Sequence, residues 1–191
     1  VKDFAVITPS RNEQGLGQTD VGGIYAYVML LAHELTGEER YLTEARKALA
    51  ALKEARFNLV YQTNLTALGL AACARLWKID KYPEAFDQGL VFLAGFFHNS
   101  QIWDSEIERA RHYTNFFGVT CLHDAPYLAA YECFEAFSAF DEYMSICGDA
   151  LPAHVRMLCA EFRKYSLDRG WYFYPDALPD DALAKDDIRN G

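Results

Sequence analysis

Leu35-Thr36-Gly37-Glu38-Glu39-Arg40-Tyr41-Leu42-Thr43-Glu44-Ala45 is the stretch on which the reading of the fold turns. Gly37 supplies the residue that enters the left-handed region at the end of one helix, and a second helix opens on the charged residues directly after it. Upstream, from Asp20 to Thr36, the positions Val21, Ile24, Tyr25, Val28, Leu31, Ala32 and Leu35 recur at three- and four-residue spacing. Tyr27, Met29 and Leu30 make the other side apolar too, so this helix is expected to be buried nearly all round, with Asp20 as its cap. Downstream, from Glu39 to Arg56, Leu42, Ala45, Leu49 and Leu52 form one stripe against Glu44, Arg46, Lys47, Lys53 and Glu54. That pattern belongs to an amphipathic helix with one face in water.

The alternation continues along the chain. Leu65 to Trp77 is apolar around its circumference with Arg75 as its only charge, and Pro83 stands where the first turn of the next helix accepts it. His123 to Cys147 carries Tyr127, Leu128, Tyr131, Phe134, Phe137 and Phe140 without a Lys or Arg. After Pro152, Val155, Leu158, Phe162 and Tyr165 are set against Arg156, Glu161, Arg163 and Lys164. These periodicities predict roughly six helices in about three antiparallel hairpins, an all-α single domain over residues 1–191. Period-two alternation is confined to short pieces such as Phe4 to Ile7 and Trp171 to Tyr174.

The Leu35 to Ala45 segment resembles the Leu-Thr-Gly-Asp-x-Arg-Tyr-Leu-x-x-Ala turn of six-hairpin glycosidase-like (α/α) toroids. Thr63 to Trp77 is similar to the small-residue inner helix that follows in such proteins, and the alternation extends the likeness over residues 20 to 170. The chain departs from the pattern at Asp80-Lys81-Tyr82-Pro83, which lacks the glycine, and at Cys147-Gly148-Asp149, which lacks the Arg-Tyr. The resemblance implies a partial ring, about half of a toroid, whose remaining hairpins come from further chain or from a homo-oligomer. It also implies a carbohydrate-active enzyme, with a glycoside hydrolase-like activity foremost and a polysaccharide lyase or sugar epimerase as alternatives. A noncatalytic helical-repeat binding module is the reading from a different class.

Composition narrows the partners. A net charge of −9 disfavours nucleic acid, which is held by neutralising phosphates. No apolar run reaches the roughly 18 residues of a membrane span. The 15% aromatic content suits a cleft that stacks on sugar rings, and it equally suits bulky filler between helices. The five cysteines show no Cys-x-x-Cys spacing and read as core residues. Cys121, His123 and His112 match no zinc pattern, and Gly15-Leu16-Gly17 is too short for a dinucleotide loop, so neither a metal nor a cofactor is expected. The opening Val1-Lys2-Asp3 reads as a processed or excised chain and leaves the compartment undetermined.

Long connections lead into the apolar helices and short ones lead out, which gathers polar residues on one face. Tyr61, Gln62 and Asn64 precede the second apolar helix, and His112, Tyr113, Asn115, His123, Asp124 and Tyr127 precede the third. His123, His112, Tyr113 and Glu132 are the candidate catalytic groups, because imidazole, phenol and a carboxylate in an apolar helix can exchange protons near neutrality. Asn64, Tyr61, Asp124, Asn115 and Tyr127 are the candidate substrate-binding residues, through amides and ring stacking; Asn64 and Asp124 also suit helix N-caps. Glu132 and Glu135 lie within an apolar helix and must be paired, to an Arg for instance, or line a wet cavity. Asn64, His112, Tyr113 and His123 are expected to meet in one cleft.

Overall fold

The computed structural model describes residues 21–59, 62–81, 83–103, 116–119 and 130–171. Within them the chain is built of six helices: α1 Val21–Thr36, α2 Glu39–Ala51, α3 Thr63–Asp80, α4 Pro83–Asn99, α5 Ala130–Cys147 and α6 Ala153–Trp171. Pro83 takes the first position of α4, where its missing N–H costs nothing. No helix among the described residues is long and apolar enough to cross a membrane.

The turns follow from backbone chemistry. Gly37 sits at φ +72° and its N–H donates to the His33 carbonyl at 2.7 Å, closing α1. Thr36 Oγ1 donates to the Ala32 carbonyl and accepts from the Glu38 N–H at 3.2 Å, leading directly into α2. A Cβ on Gly37 would meet nothing within 4 Å. Gly37→Ala therefore isolates the cost of the left-handed conformation, and it should lower unfolding free energy by about 1 kcal/mol with helix content unchanged. Urea denaturation checks this; an unchanged midpoint would show that the turn has another way to close. At the end of α3, where the glycine is missing, Lys81 itself adopts φ +51°, donates its N–H to the Trp77 carbonyl and lays its ammonium 4.1 Å from the Trp77 ring centre. Gly148, at φ +48°, closes α5.

Close approaches give the directions of the helices. The side chain of Leu52, just past α2, presses on Gly22 at the start of α1, so these two run antiparallel. Gly89 lies against Cys73, and Trp77 meets Phe86 with ring centres 5.4 Å apart, so α3 and α4 run antiparallel. Phe140 meets Phe162 at 4.6 Å, and Arg156 pairs with Asp149 at 2.6 Å, which sets α6 antiparallel to α5. By contrast, Gly23 lies against Gly69 and Glu34 pairs with Arg75, while Asn64 reaches Glu135 and Arg75 pairs with Glu142, so α1, α3 and α5 run parallel, with α3 in the middle. Phe96, Phe97, Phe140 and Phe162 form the aromatic centre between α4, α5 and α6.

The structure differs from the sequence reading in three places. First, α1 is buried along one face only, through Gly23, Ala26 and Leu30, while Tyr25, Val28 and Leu35 are exposed. An apolar circumference is buried only where neighbours exist, and among the described residues α1 packs mainly on α2 and α3. It is therefore no more buried than α2, whereas α3 is enclosed nearly all round. Second, the regular part of α2 ends at Ala51; the chain continues through turns to a 3₁₀ segment at Arg56–Asn58. Third, a two-stranded antiparallel ribbon, β1 Ser100–Trp103 and β2 Phe116–Val119, pairs Ser100 with Val119 and Trp103 with Phe116. The aromatic and β-branched residues of both runs favour strand pairing, but each run is too short to show period two. Phe4 to Ile7 lies outside the described residues, and Trp171 ends α6.

Candidate functional site

The starts of α3 and α5 meet, and each carries polar side chains. Gln62 occupies the N-cap of α3 with extended backbone, and its carbonyl accepts the N–H groups of Leu65 and Thr66. Its side chain makes no cap hydrogen bond and reaches across to α5, where Gln62 Nε2 donates to Glu132 Oε1 at 3.1 Å. The Tyr131 hydroxyl donates to the same oxygen at 3.1 Å. One turn further on, Asn64 Nδ2 donates to Glu135 Oε2 at 2.5 Å. Residues three apart on a helix share a side, so Glu132 and Glu135 both turn to the start of α3 and each receives an amide from it.

The two carboxylates differ in access. Glu132 is 0% exposed, whereas Glu135 is open to solvent. Around them, Thr63 Oγ1, Asn64 Oδ1 and Thr66 Oγ1 are buried with no hydrogen-bond partner among the described residues. The aligned peptide dipoles of α3 add a positive potential that favours negative charge at this end of the helix.

A second polar group lies along the same side of α3. Asn64, Leu68, Ala71 and Arg75 follow one another at spacings of four, three and four, on the side turned away from Gly69 and Cys73, which face α4. Arg75 Nη1 donates to Glu34 Oε2 at 2.5 Å, and its Nε pairs with Glu142. The Tyr27 hydroxyl donates to Glu142 Oε2 at 2.7 Å, and the Arg75 guanidinium lies 5.2 Å from the Tyr27 ring centre. Burial, and then the Glu142 hydrogen bond and charge, push the Tyr27 hydroxyl above its ordinary pKa. Tyr27 belongs to α1 and Glu142 to α5, so their bond bridges the two helices that flank α3. A cavity of about 440 Å³ opens beside this network, lined by His33, Glu34, Arg75, Lys78 and Glu142 among others.

Of the residues singled out in the sequence, Asn64 and Glu132 are described, and both belong to the α3–α5 junction. Tyr61, His112, Tyr113, Asn115, His123, Asp124 and Tyr127 lie outside the described residues, and with them the expected cleft of Asn64, His112, Tyr113 and His123. Asn64 is not the cap of α3: the helix starts at Thr63, which puts Gln62 at the cap and Asn64 inside the first turn. Sequence reasoning did not find the Gln62 and Asn64 amides as partners of the α5 carboxylates, because 70 and 71 residues separate them along the chain. It also passed over the Arg75 network, although a single charge in an otherwise apolar helix is the signal for it.

Among the described residues no group of three or more His, Cys, Asp or Glu side chains is arranged to hold a metal ion. Comparison with protein-family models, curated proteins and solved structures finds no match to this chain.

Proposed function

We propose that this chain is a three-hairpin arc of an (α/α) toroid that processes a carbohydrate by acid/base chemistry at the end where α3 and α5 begin. The observation that carries the proposal is the pair of carboxylates at that end, each held by an amide, with Glu132 enclosed and Glu135 accessible. Support for the arc comes from the three parallel helices α1, α3 and α5, each with an antiparallel neighbour. The Tyr27–Glu142 bond adds to it, because side chains that meet across α3 imply a row bent towards the side away from α4.

In this reading Glu135 exchanges a proton with the substrate, held in place by Asn64. Glu132, fixed by Gln62 and Tyr131, stands one turn before it on the same side of α5 and anchors that turn against the start of α3. His112, Tyr113 and His123 are proposed as further acid/base groups, and Tyr61, Asn115, Asp124 and Tyr127 as further sugar contacts, from the chain segments that enter α3 and α5.

The test is turnover on a panel of neutral and uronic oligosaccharides, following new reducing ends for hydrolysis and unsaturated uronate for β-elimination. The unaltered chain should act on at least one class, and Glu135→Gln should lower that turnover by about 100-fold or more with little change in melting temperature. A lack of turnover on the whole panel, or full activity in Glu135→Gln, overturns the proposal. A variant that melts early but keeps its activity per folded molecule would make the Asn64–Glu135 pair a structural clip.

A further inference from the structure

Beyond that reading, we propose that the outward stripe of α1 is a self-association surface on which a second copy of this chain docks its own α1. Val21, Tyr25, Val28, Ala32 and Leu35 follow at spacings of four, three, four and three, the spacing of a seam that packs against another helix. The four large residues of the seam are 42%, 44%, 47% and 87% exposed, and Leu31 beside them is 38% exposed. Together they make an apolar patch on the order of 400 Å², as large as the largest patch on an ordinary monomer.

Charge selects the occupant. From Val21 to Ala32 α1 carries no ionisable side chain other than Tyr25 and Tyr27, and Tyr27 is turned to Glu142. Among the described residues every other exposed helix face bears acids or bases, such as Glu39, Arg40 and Glu44 on α2 or Glu84 and Asp87 on α4. Two copies at −9 each repel through those faces; through α1 they approach without placing like charges in contact. The exposed face of α5 is a poorer match, since Tyr131 and Phe134 are followed by Ser138, Asp141 and Ser145. A patch of this size is about half of the roughly 800 Å² per partner found in stable dimers, so the dimer is a reversible one.

Sedimentation velocity over a concentration series tests this on the full chain. The unaltered chain should pass from monomer to dimer as concentration rises. Val28→Lys and Leu35→Lys should each hold it as monomer, with unchanged helical circular dichroism, because neither side chain is in the core. Val28 lies midway along the stripe, so Val28→Cys should yield a covalent dimer on oxidation. A chain that is monomeric at every concentration overturns the proposal. So does a dimer that persists in both lysine variants, or one that Phe134→Lys dissolves and Val28→Lys does not.

Discussion

Gly69→Ala should cost about 3 kcal/mol of unfolding free energy, the upper end of what overpacking a core usually costs. A Cβ at this position would fall 2.2 Å from Phe92 Cε1 and 2.7 Å from its Cδ1, well inside van der Waals contact. The ring has nowhere to go, because Phe92 is 1% exposed and packed within the core. The loss should therefore couple to the ring. In Gly69→Ala/Phe92→Leu the two effects should not add, and part of the stability lost in Gly69→Ala should return. Gly23→Ala gives the contrast. Its Cβ would fall 2.8 Å from the Gly69 Cα and 3.2 Å from the Leu65 carbonyl oxygen, so it meets backbone. No side-chain trimming relieves that contact, and α1 must move off α3, drawing Tyr27 away from Glu142. Urea denaturation of the four variants measures all of this; strictly additive effects of Gly69→Ala and Phe92→Leu would show that the ring has room to move.

The same glycines show what the sequence makes legible. Gly37 and Pro83 announce their roles because a helix end and a helix start make local demands on φ and on the N–H. Six helices could be placed from periodicity, and the structure contains six within the described residues. Gly23 and Gly69 carry no such local signal; Gly23 is required by Gly69 on α3 and Gly69 by the Phe92 ring on α4, neighbours that are seen only once the helices lie together. Burial of α1 failed for the same reason, since apolar residues state a preference and neighbours decide whether it is met. The site divides along this line. Asn64 and Glu132 stood out as polar residues in apolar helices, but a two-residue shift in where α3 begins turned Asn64 from a cap into a partner of Glu135. The glycine missing after Asp80 read as a departure from the turn pattern, and the backbone makes the turn regardless by putting Lys81 in the left-handed region.

Above pH 9 the fold should lose stability steeply, because four thiols are buried in it. Cys73, Cys133, Cys147 and Cys159 are all free and buried. Burial raises each from the ordinary value of 9.0: Cys147 to about 11, and Cys133 and Cys159 to about 12. Cys73, fully enclosed, is raised further still. Burial raises Cys147 and Cys159 against a nearby cation that lowers each, Lys81 and Arg163 respectively. The Tyr143 hydroxyl is also raised by burial and has no hydrogen-bond partner among the described residues. In the unfolded chain these thiols lose their protons near pH 9, while in the folded chain they keep them to about 11 or beyond. Between those values the unfolded state binds fewer protons, so stability is fully present below about 9 and falls as pH rises. Each thiol contributes up to about 1.4 kcal/mol per pH unit in that window, and the four together on the order of 5 kcal/mol. Unfolding free energies from urea titrations between pH 7 and about 10.5 should be flat and then drop. Cys159→Ala should flatten the drop by about one quarter, which separates the thiols from the lysines and tyrosines that titrate in both variants. Alkylation at pH 9 supplies a second readout, since a protonated, enclosed thiol reacts only after the helices open, and the labelling rate reports that opening. A variant with all four cysteines replaced by alanine that keeps the original slope would show that the alkaline loss has another source.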